Sequence, residues 1–317
     1  MIQVFSLSQI KKALEEIDPL PLIEEGFIAY SQGKTVVPPV GELIFRDPPG
    51  DIHIKYGYII GDDYYVIKIA SGFPANRQRN LPPNNGMMLV FKQKTGEPVC
   101  ILLDQGFLTD IRTAAAGAVV AKYLAPKKVH CIGILGPGIQ GRMQLEYLKG
   151  VVDCREVIIW GRNLERLEVY RKDMEPLGFH IQPTLNTEEV AARCDLIVTA
   201  TPSTTPLLHA DDIRPGTHIT AMGSDTPEKN ELNPQILHKA DILVADSISQ
   251  CLERGEIHHA LNTGTIKKEK LVELGDVIIN QDLRRSSEEQ ITVADLTGVA
   301  VQDIQRASAV CNILNLK

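Results

Sequence analysis

The sequence predicts an α/β protein, with a doubly wound parallel sheet in one domain and an α+β arrangement in a second. Three observations predict it. From about residue 129, short apolar runs alternate with helical stretches, the pattern of a parallel sheet with crossover helices. The first of those runs ends in a turn of three glycines, Gly136, Gly138 and Gly141. Residues 37–106 instead read as strands joined by hairpin turns. At 317 residues the chain is long enough for two domains.

Residues 8–32 form an amphipathic helix pair broken at Asp18-Pro19-Leu20-Pro21. In "GYIIGDDYYVIKIASGF" two strand runs flank the turn Gly61-Asp62-Asp63, and "GMMLVFKQKTGEPVCILLD" repeats the pattern around Lys94-Thr95-Gly96. Residues 109–124 are alanine-rich and helical, and Pro126 ends the helix. The strands of the alternating region are 130–135, 156–160, 196–200, 217–222 and 242–246. The last stretch, 289–315, reads as helical. The expected organisation is a first domain over 1–127, a doubly wound domain over 128–299, and a C-terminal helix, about 300–317, that returns to the first.

A hydrophobic share of 44% and a charged share of 23% are ordinary for a globular enzyme. The net charge of −7 offers no basic face to nucleic acid or an anionic membrane, so an anionic substrate needs local arginines. The N-terminal residues lack the segments of a signal peptide. The longest apolar run, "AAAGAVVAKYLA", is interrupted by Lys122 and does not reach a membrane span. The six cysteines are scattered without a CxxC pair, which argues against a disulfide framework or zinc site and for a cytoplasmic protein. His258 and His259 are adjacent on a helix and point in different directions, so no metal is expected there.

Gly136-Pro137-Gly138-Ile139-Gln140-Gly141 fits G-x-G-x-x-G between a strand and a helix. The first glycine allows a tight turn, the second a close approach of a pyrophosphate, and the third helix–strand packing. The alternative is a structural turn in a Rossmann-like domain without a nucleotide. The next strand ends in "IIWGRN", with Gly161 where a ribose-binding acid is expected and Arg162 and Asn163 after it. Without a carboxylate, a 2′-phosphate is not repelled and an arginine can pair with it. NADP(H) is therefore the expected cofactor, with NAD(H) also usable. Arg162 as a solvated surface charge is the alternative.

Four charged residues stand where charge is costly or unexpected. Lys68 interrupts the apolar strand "YYVIKIASG", sharing a face with Val66 and Ala70. It reads as a site lysine with a tuned pKa, or as a guard on an edge strand. Arg112 falls in the first turn of the alanine-rich helix, where a cation opposes the dipole but a carboxylate would be well received. A surface pair with Asp110 is the alternative. Asp225 follows the strand "THITAMGS", at the strand end where doubly wound sheets bind ligands, or is a cap or turn residue. Arg46, before a proline-rich loop, is uninformative alone.

Together "IKIASGFPAN", "LTDIRTAAAGAVVAKYLAP", "GILGPGIQG", "ITAMGSDTPEKNEL" and "ITVADLTGVAVQD" resemble the ornithine cyclodeaminase/μ-crystallin family, in order, from about residue 35 to the end. The resemblance implies a homodimer with a substrate-binding and dimerisation domain and a Rossmann cofactor domain. It implies that Arg46, Lys68 and Arg112 bind a substrate carboxylate and that Lys68 and Asp225 are catalytic. It places Arg112, Gly136, Gly138, Ile139, Gln140, Arg162, Asn163, Thr199, Lys229 and Gly298 at the cofactor. One departure bears on the substrate. Cyclodeaminases of the family carry a glutamate before the lysine strand for the substrate's side-chain amine, where this chain reads Ile54-Lys55-Tyr56-Gly57. The resemblance then implies reduction of a small cyclic imino acid. Such a substrate would be Δ1-pyrroline-2-carboxylate, Δ1-piperideine-2-carboxylate or another ketimine. Ornithine cyclodeamination with catalytic NAD+ is the alternative, and a non-catalytic NADPH-binding crystallin-like protein a second.

Overall fold

The computed structural model describes residues 2–15 and 17–314. The chain divides into two compact units, one made of residues 1–112 and 299–317, the other of residues 113–298.

In the first unit, β1 (Gln3–Ser6) leads into α1 (Leu7–Leu14), and α2 (Pro19–Ser31) follows. The break between the helices is where proline and a cap dictate it. Asp18 accepts the Leu20 N–H at 3.0 Å, and Pro19 opens the new helix. Then come β2 (Thr35–Val36), β3 (Gly41–Arg46), β4 (Pro49–Ile59), β5 (Tyr64–Gly72), β6 (Asn84–Lys92) and β7 (Pro98–Leu103). Among the described residues they form one sheet in the order β1-β7-β6-β5-β4-β2, with β3 also paired to β4. Both expected hairpins are present, β4 with β5 and β6 with β7. Helix α3 (Phe107–Leu124) starts after Asp104, whose carboxylate accepts the Leu108 N–H at 2.9 Å. The C-terminal helix α11 (Ala300–Ile313) packs on β4, β5 and α2.

The register assigns the two faces of this sheet. One row runs Phe5, Leu102, Met88, Lys68 and Lys55 across five strands, all buried. That face meets Ile10 and Leu14 of α1 and Ile304, Ala307 and Val310 of α11 in one hydrophobic core. The opposite row runs Val4, Ile101, Leu89, Ile67 and Tyr56, half-buried or exposed throughout.

The second unit opens with the rest of α3 and continues through β8 (Ile132–Leu135), α4 (Ile139–Leu148), β9 (Glu156–Trp160), α5 (Leu164–Met174), β10 (His180–Thr184), α6 (Thr187–Arg193) and β11 (Leu196–Thr199). Its second half holds β12 (His218–Ala221), α7 (Pro234–Lys239), β13 (Ile242–Ala245), α8 (Ile248–Cys251), α9 (Gly255–Asn262), β14 (Leu271–Glu273), α10 (Leu274–Ile279) and β15 (Thr292–Asp295). The strands form a parallel sheet in the order β10-β9-β8-β11-β12-β15-β13-β14. The order reverses between β8 and β11, and the crevice beyond the strand ends at such a switch point is where these sheets bind ligands.

Three readings change. The stretch 289–315 is not helical throughout, because Thr292–Asp295 is a fully buried strand between β12 and β13. Strands β10 and β14 are also new. Both lie at sheet edges, and Pro183 is tolerated in β10 because an edge strand leaves one side of its backbone unpaired. The sequence placed the domain division at 127/128, whereas the contacts place it inside α3, at 112/113. The physical reason is that the Thr113 carbonyl accepts from Gln144, and the Leu124 carbonyl from Arg285 and Thr292, all in the second unit. Residues 315–317 of the expected final helix lie outside the described residues. Among the described residues no helix is long and apolar enough to cross a membrane.

Candidate functional site

Two groups of side chains carry chemistry, one in each unit. In the first unit Lys68 stands on β5, between β4 and β6, so it guards no edge. It is 2% exposed. Its Nζ lies 3.4 Å from Oδ2 of Asp303 on α11, and Nε of Arg112 lies 3.2 Å from Oδ1 of the same carboxylate. Arg112 also donates from Nη1 to Gln302 Oε1 at 2.5 Å. Burial drives the Lys68 pKa below its ordinary value; Asp303 opposes that shift and Arg112 adds to it. Asp104 is buried too, and burial raises its pKa. Helix α3 starts at Phe107, so Arg112 lies in its second turn, not its first, and its partners come from α11 rather than from Asp110. Arg46 ends β3 on the surface, apart from this cluster.

Asp303 and Gln302 were missed by sequence reasoning. The signal was present in "AVQDIQRA", where Gln302, Asp303 and Arg306 interrupt a helix otherwise rich in Ala, Val and Ile, and all three are at most 1% exposed.

In the second unit the glycine turn joins β8 to α4. A Cβ on Gly136, at φ +114°, would meet the Ala200 carbonyl oxygen at 2.5 Å, and one on Gly141 would meet the Gly136 carbonyl oxygen at 2.0 Å. Both glycines are required by the fold. Gly138 differs: its backbone is extended and a Cβ there would meet nothing within 4 Å. The fold does not need a glycine at 138, and the open space beside the first-turn N–H groups of α4 fits a pyrophosphate. Ile139 is exposed at the helix start, and the Gln140 side chain accepts from Gln144 at 3.4 Å. The turn is braced from behind. Tyr170 donates to the Gly141 carbonyl at 2.9 Å, and Arg142, held by Asp173 at 2.7 Å, donates to the Pro137 carbonyl.

Gly161 follows β9 directly and lies against this turn. A Cβ there would stand 3.0 Å from Pro137 Cδ and from Leu167 Cδ2, so a side chain at 161 would press on both and require small shifts of them. Arg162 is exposed beside it. Asn163 caps α5, accepting the Arg166 N–H at 3.0 Å.

The loops after β11 and β12 are tied by a residue the sequence analysis did not single out. Glu231, fully buried, accepts from the Thr199 hydroxyl at 2.7 Å, the Thr201 N–H at 2.7 Å and the Gly223 N–H at 2.9 Å. Burial raises its pKa to about 7 against those hydrogen bonds. Thr199 is thus a buried brace for this loop pair. Asp225 lies just beyond Gly223, partly exposed, 2.6 Å from Lys229 Nζ. No helix starts at Asp225; the next, α7, is capped by Asn233. Gly298, at φ +83°, donates its N–H to Asp246 at 2.6 Å. His258 and His259 each bond to a backbone carbonyl, and no metal-binding cluster occurs among the described residues.

Residues 3–315 match the model of the ornithine cyclodeaminase/mu-crystallin family. The chain belongs to this family. An uncharacterised cyclodeaminase of Sinorhizobium fredii is 39% identical, the match covering 91% of this chain and 88% of the relative. An archaeal alanine dehydrogenase dimer with bound NAD superimposes with a TM-score of 0.89 at 32% identity, covering 99% of this chain and 96% of that one. The Δ1-pyrroline-2-carboxylate reductase of Thermococcus litoralis, in complex with NADH and L-proline, gives 0.89 at 25% identity, covering 99% and 98%. The family thus spans imine reductases and cyclodeaminases.

Proposed function

We propose that the protein is an NAD(P)H-dependent reductase of a small α-imino acid, with Δ1-pyrroline-2-carboxylate reduced to L-proline as the leading reaction. The observation that carries this reading is the charge count of the buried cluster. Lys68 and Arg112 share one adjoining carboxylate, Asp303, and the nearby Asp104 is pushed by burial toward its neutral form, so a substrate carboxylate would supply further negative charge. Its arrival favours the charged form of Lys68, which burial otherwise opposes.

The residues of the second unit fit a dinucleotide. Gly138 and the first turn of α4 would hold the pyrophosphate, and Arg162 a 2′-phosphate, which is the basis for a preference for NADP(H) over NAD(H). When bound, the reduced nicotinamide supplies the hydride. The chain's own tasks are to orient the imine by its carboxylate and to keep a proton on the imine nitrogen, because the iminium accepts hydride more readily. Lys68 and Asp225 are the proton-holding groups of this proposal.

Lys55 disfavours the cyclodeaminase reading. It is buried and directly opposite Lys68 in the β4–β5 register, and a diamine such as ornithine brings a second ammonium that needs an anion. A homodimer is part of the proposal, supported by the apolar row Val4, Ile101, Leu89, Ile67 and Tyr56 left half-buried or exposed on the first unit's sheet. The test follows NADPH absorbance with Δ1-pyrroline-2-carboxylate and, separately, ammonia release from ornithine with catalytic NAD+. NADPH consumption without ammonia release is the expected result. Ammonia and proline from ornithine without net cofactor turnover would replace the proposal by cyclodeamination.

A further inference from the structure

The second unit holds a thiol pair that the proposed reaction does not use. Cys131 immediately precedes β8 and Cys194 closes α6 just before β11, so both sit at the amino ends of adjacent parallel strands. Their Sγ atoms are 3.4 Å apart. The spacing is set by backbone and by a clamp on each side. The Asp195 N–H donates to the Cys131 carbonyl at 3.0 Å, the His130 N–H donates to Asp195 Oδ2 at 2.7 Å, and Arg214 donates to the Cys194 carbonyl at 3.2 Å. The absent side chain of Gly133 makes room for α6, since a Cβ there would clash first with Val190 Cγ1 and would also stand 3.1 Å from the Cys194 sulfur.

Access is one-sided. Cys131 is partly exposed and lines a cleft of about 430 Å³ together with Arg193, Glu156, His180 and Phe179. Cys194 is fully buried behind it. The chain carries its own control. Cys100 and Cys311 have sulfurs 3.6 Å apart, but both are at most 1% exposed.

We propose that Cys131 and Cys194 form a reversible, peroxide-driven disulfide, with Cys131 as the reacting thiol and Cys194 as the resolving one. The Cys131 thiol first gives up its proton to solvent; its thiolate then attacks one peroxide oxygen, the S–O bond forms, the O–O bond breaks, and the departing hydroxide takes up a proton from solvent and leaves as water. Cys194 sulfur then displaces the hydroxyl of the resulting sulfenic acid, forming the S–S bond and releasing a second water. Two thiols lose two electrons and one peroxide becomes two waters. The sulfurs close from 3.4 Å to about 2.05 Å, a movement of the scale side-chain torsions supply. The hydrogen bond between the two sulfurs favours the Cys131 thiolate against burial, and Arg193, beside it in the cleft, adds to that. The new bond closes a loop containing the glycine turn, β9, α5, β10 and α6, and so constrains the segment the proposal assigns to the dinucleotide.

The experiment treats the full-length protein with hydrogen peroxide, blocks remaining thiols, and maps peptides without reduction. The expected result is a Cys131–Cys194 cross-linked peptide that dithiothreitol reverses, a higher thermal midpoint before reversal, and Cys100 and Cys311 still blocked as thiols. In Cys194→Ser, Cys131 accumulates as a dimedone-reactive sulfenic acid. The proposal is overturned if Cys131 oxidises no faster than the Cys100–Cys311 pair. It is equally overturned if native protein accumulates the Cys131 dimedone adduct without a cross-link.

Discussion

Replacing Asp303 by asparagine removes the one carboxylate that Lys68 and Arg112 share while keeping its shape. The carboxylate is 1% exposed and lies 3.4 Å from Lys68 and 3.2 Å from Arg112. Deleting one partner of a buried ion pair costs about 3–5 kcal/mol. Lys68 itself supplies an independent bound, because it escapes an unpaired buried charge by giving up its proton. Starting from the ordinary lysine value of 10.5, deprotonation at pH 7 costs at most about 5 kcal/mol, and the native chain already bears part of that because burial lowers its Lys68 too. The loss at pH 7 therefore lies below that ceiling, and the melting temperature should fall on the order of 10 °C. The pH dependence has a definite sign. Lys68 titrates lower in the folded chain than in the unfolded one, so folding gains stability as pH rises through the window between the two values. Losing Asp303 lowers the folded value further and widens that window. The gap between Asp303→Asn and the native chain is therefore largest near neutrality and below, and narrows toward about pH 10, leaving the share due to Arg112. Thermal and urea unfolding of both proteins at several pH values measures it. A gap under about 1 kcal/mol at pH 7, or one that does not narrow with rising pH, would refute the reasoning.

Three further outcomes are expected. Gly138→Ala leaves the melting temperature within about 1 °C, because its methyl enters open space, yet raises the Kd for NADPH and NADH on the order of tenfold, read by fluorescence titration. Arg162→Ala raises the Kd for NADPH on the order of tenfold and leaves that for NADH unchanged, since only the 2′-phosphate loses a charge-assisted bond; equal effects on both would remove the NADP(H) preference. His218, buried between Thr292 at 2.8 Å and Thr220 at 3.0 Å, has its pKa lowered by burial to about 3 from 6.5. It contributes stability above pH 6.5 that is lost as pH falls toward 3, about 2 kcal/mol of it by pH 5. His218→Gln should flatten that slope in acid unfolding, and an unchanged slope would count against it.

What was legible in the sequence is what local chemistry announces. The hairpins at Gly61-Asp62-Asp63 and Lys94-Thr95-Gly96, the helix break at Asp18-Pro19 and the glycine turn each state their geometry within a few residues. Lys68 stood out because an ionised side chain in an apolar strand needs a partner, and Arg112 because a cation near a helix start opposes the dipole. The partner itself was not legible. Asp303 reaches them only through the packing of α11 on β4 and β5, and nothing near it in sequence points across that distance. Glu231 was hidden for the same reason, since its donors Thr199, Thr201 and Gly223 come from two other loops. Strand β15 was read as helix because its four residues carry little pattern and its neighbours β12 and β13 make it a strand.

The position of α11 in the chain orders the assembly of the cation cluster in time. Arg112 and its partner Gln302 are 190 residues apart, and all of the second unit is translated between them. A ribosome-bound chain can therefore complete the parallel sheet while Lys68 and Arg112 still wait, solvated, for their counter-charge. The first unit's core also lacks Ile304, Ala307 and Val310 until then, so its sheet closes only once α11 has emerged. The buried cation pair is thus left without Asp303 until synthesis reaches the first turn of α11, and a chain stopped short of it would carry a finished parallel sheet beside an uncompensated Lys68 and Arg112.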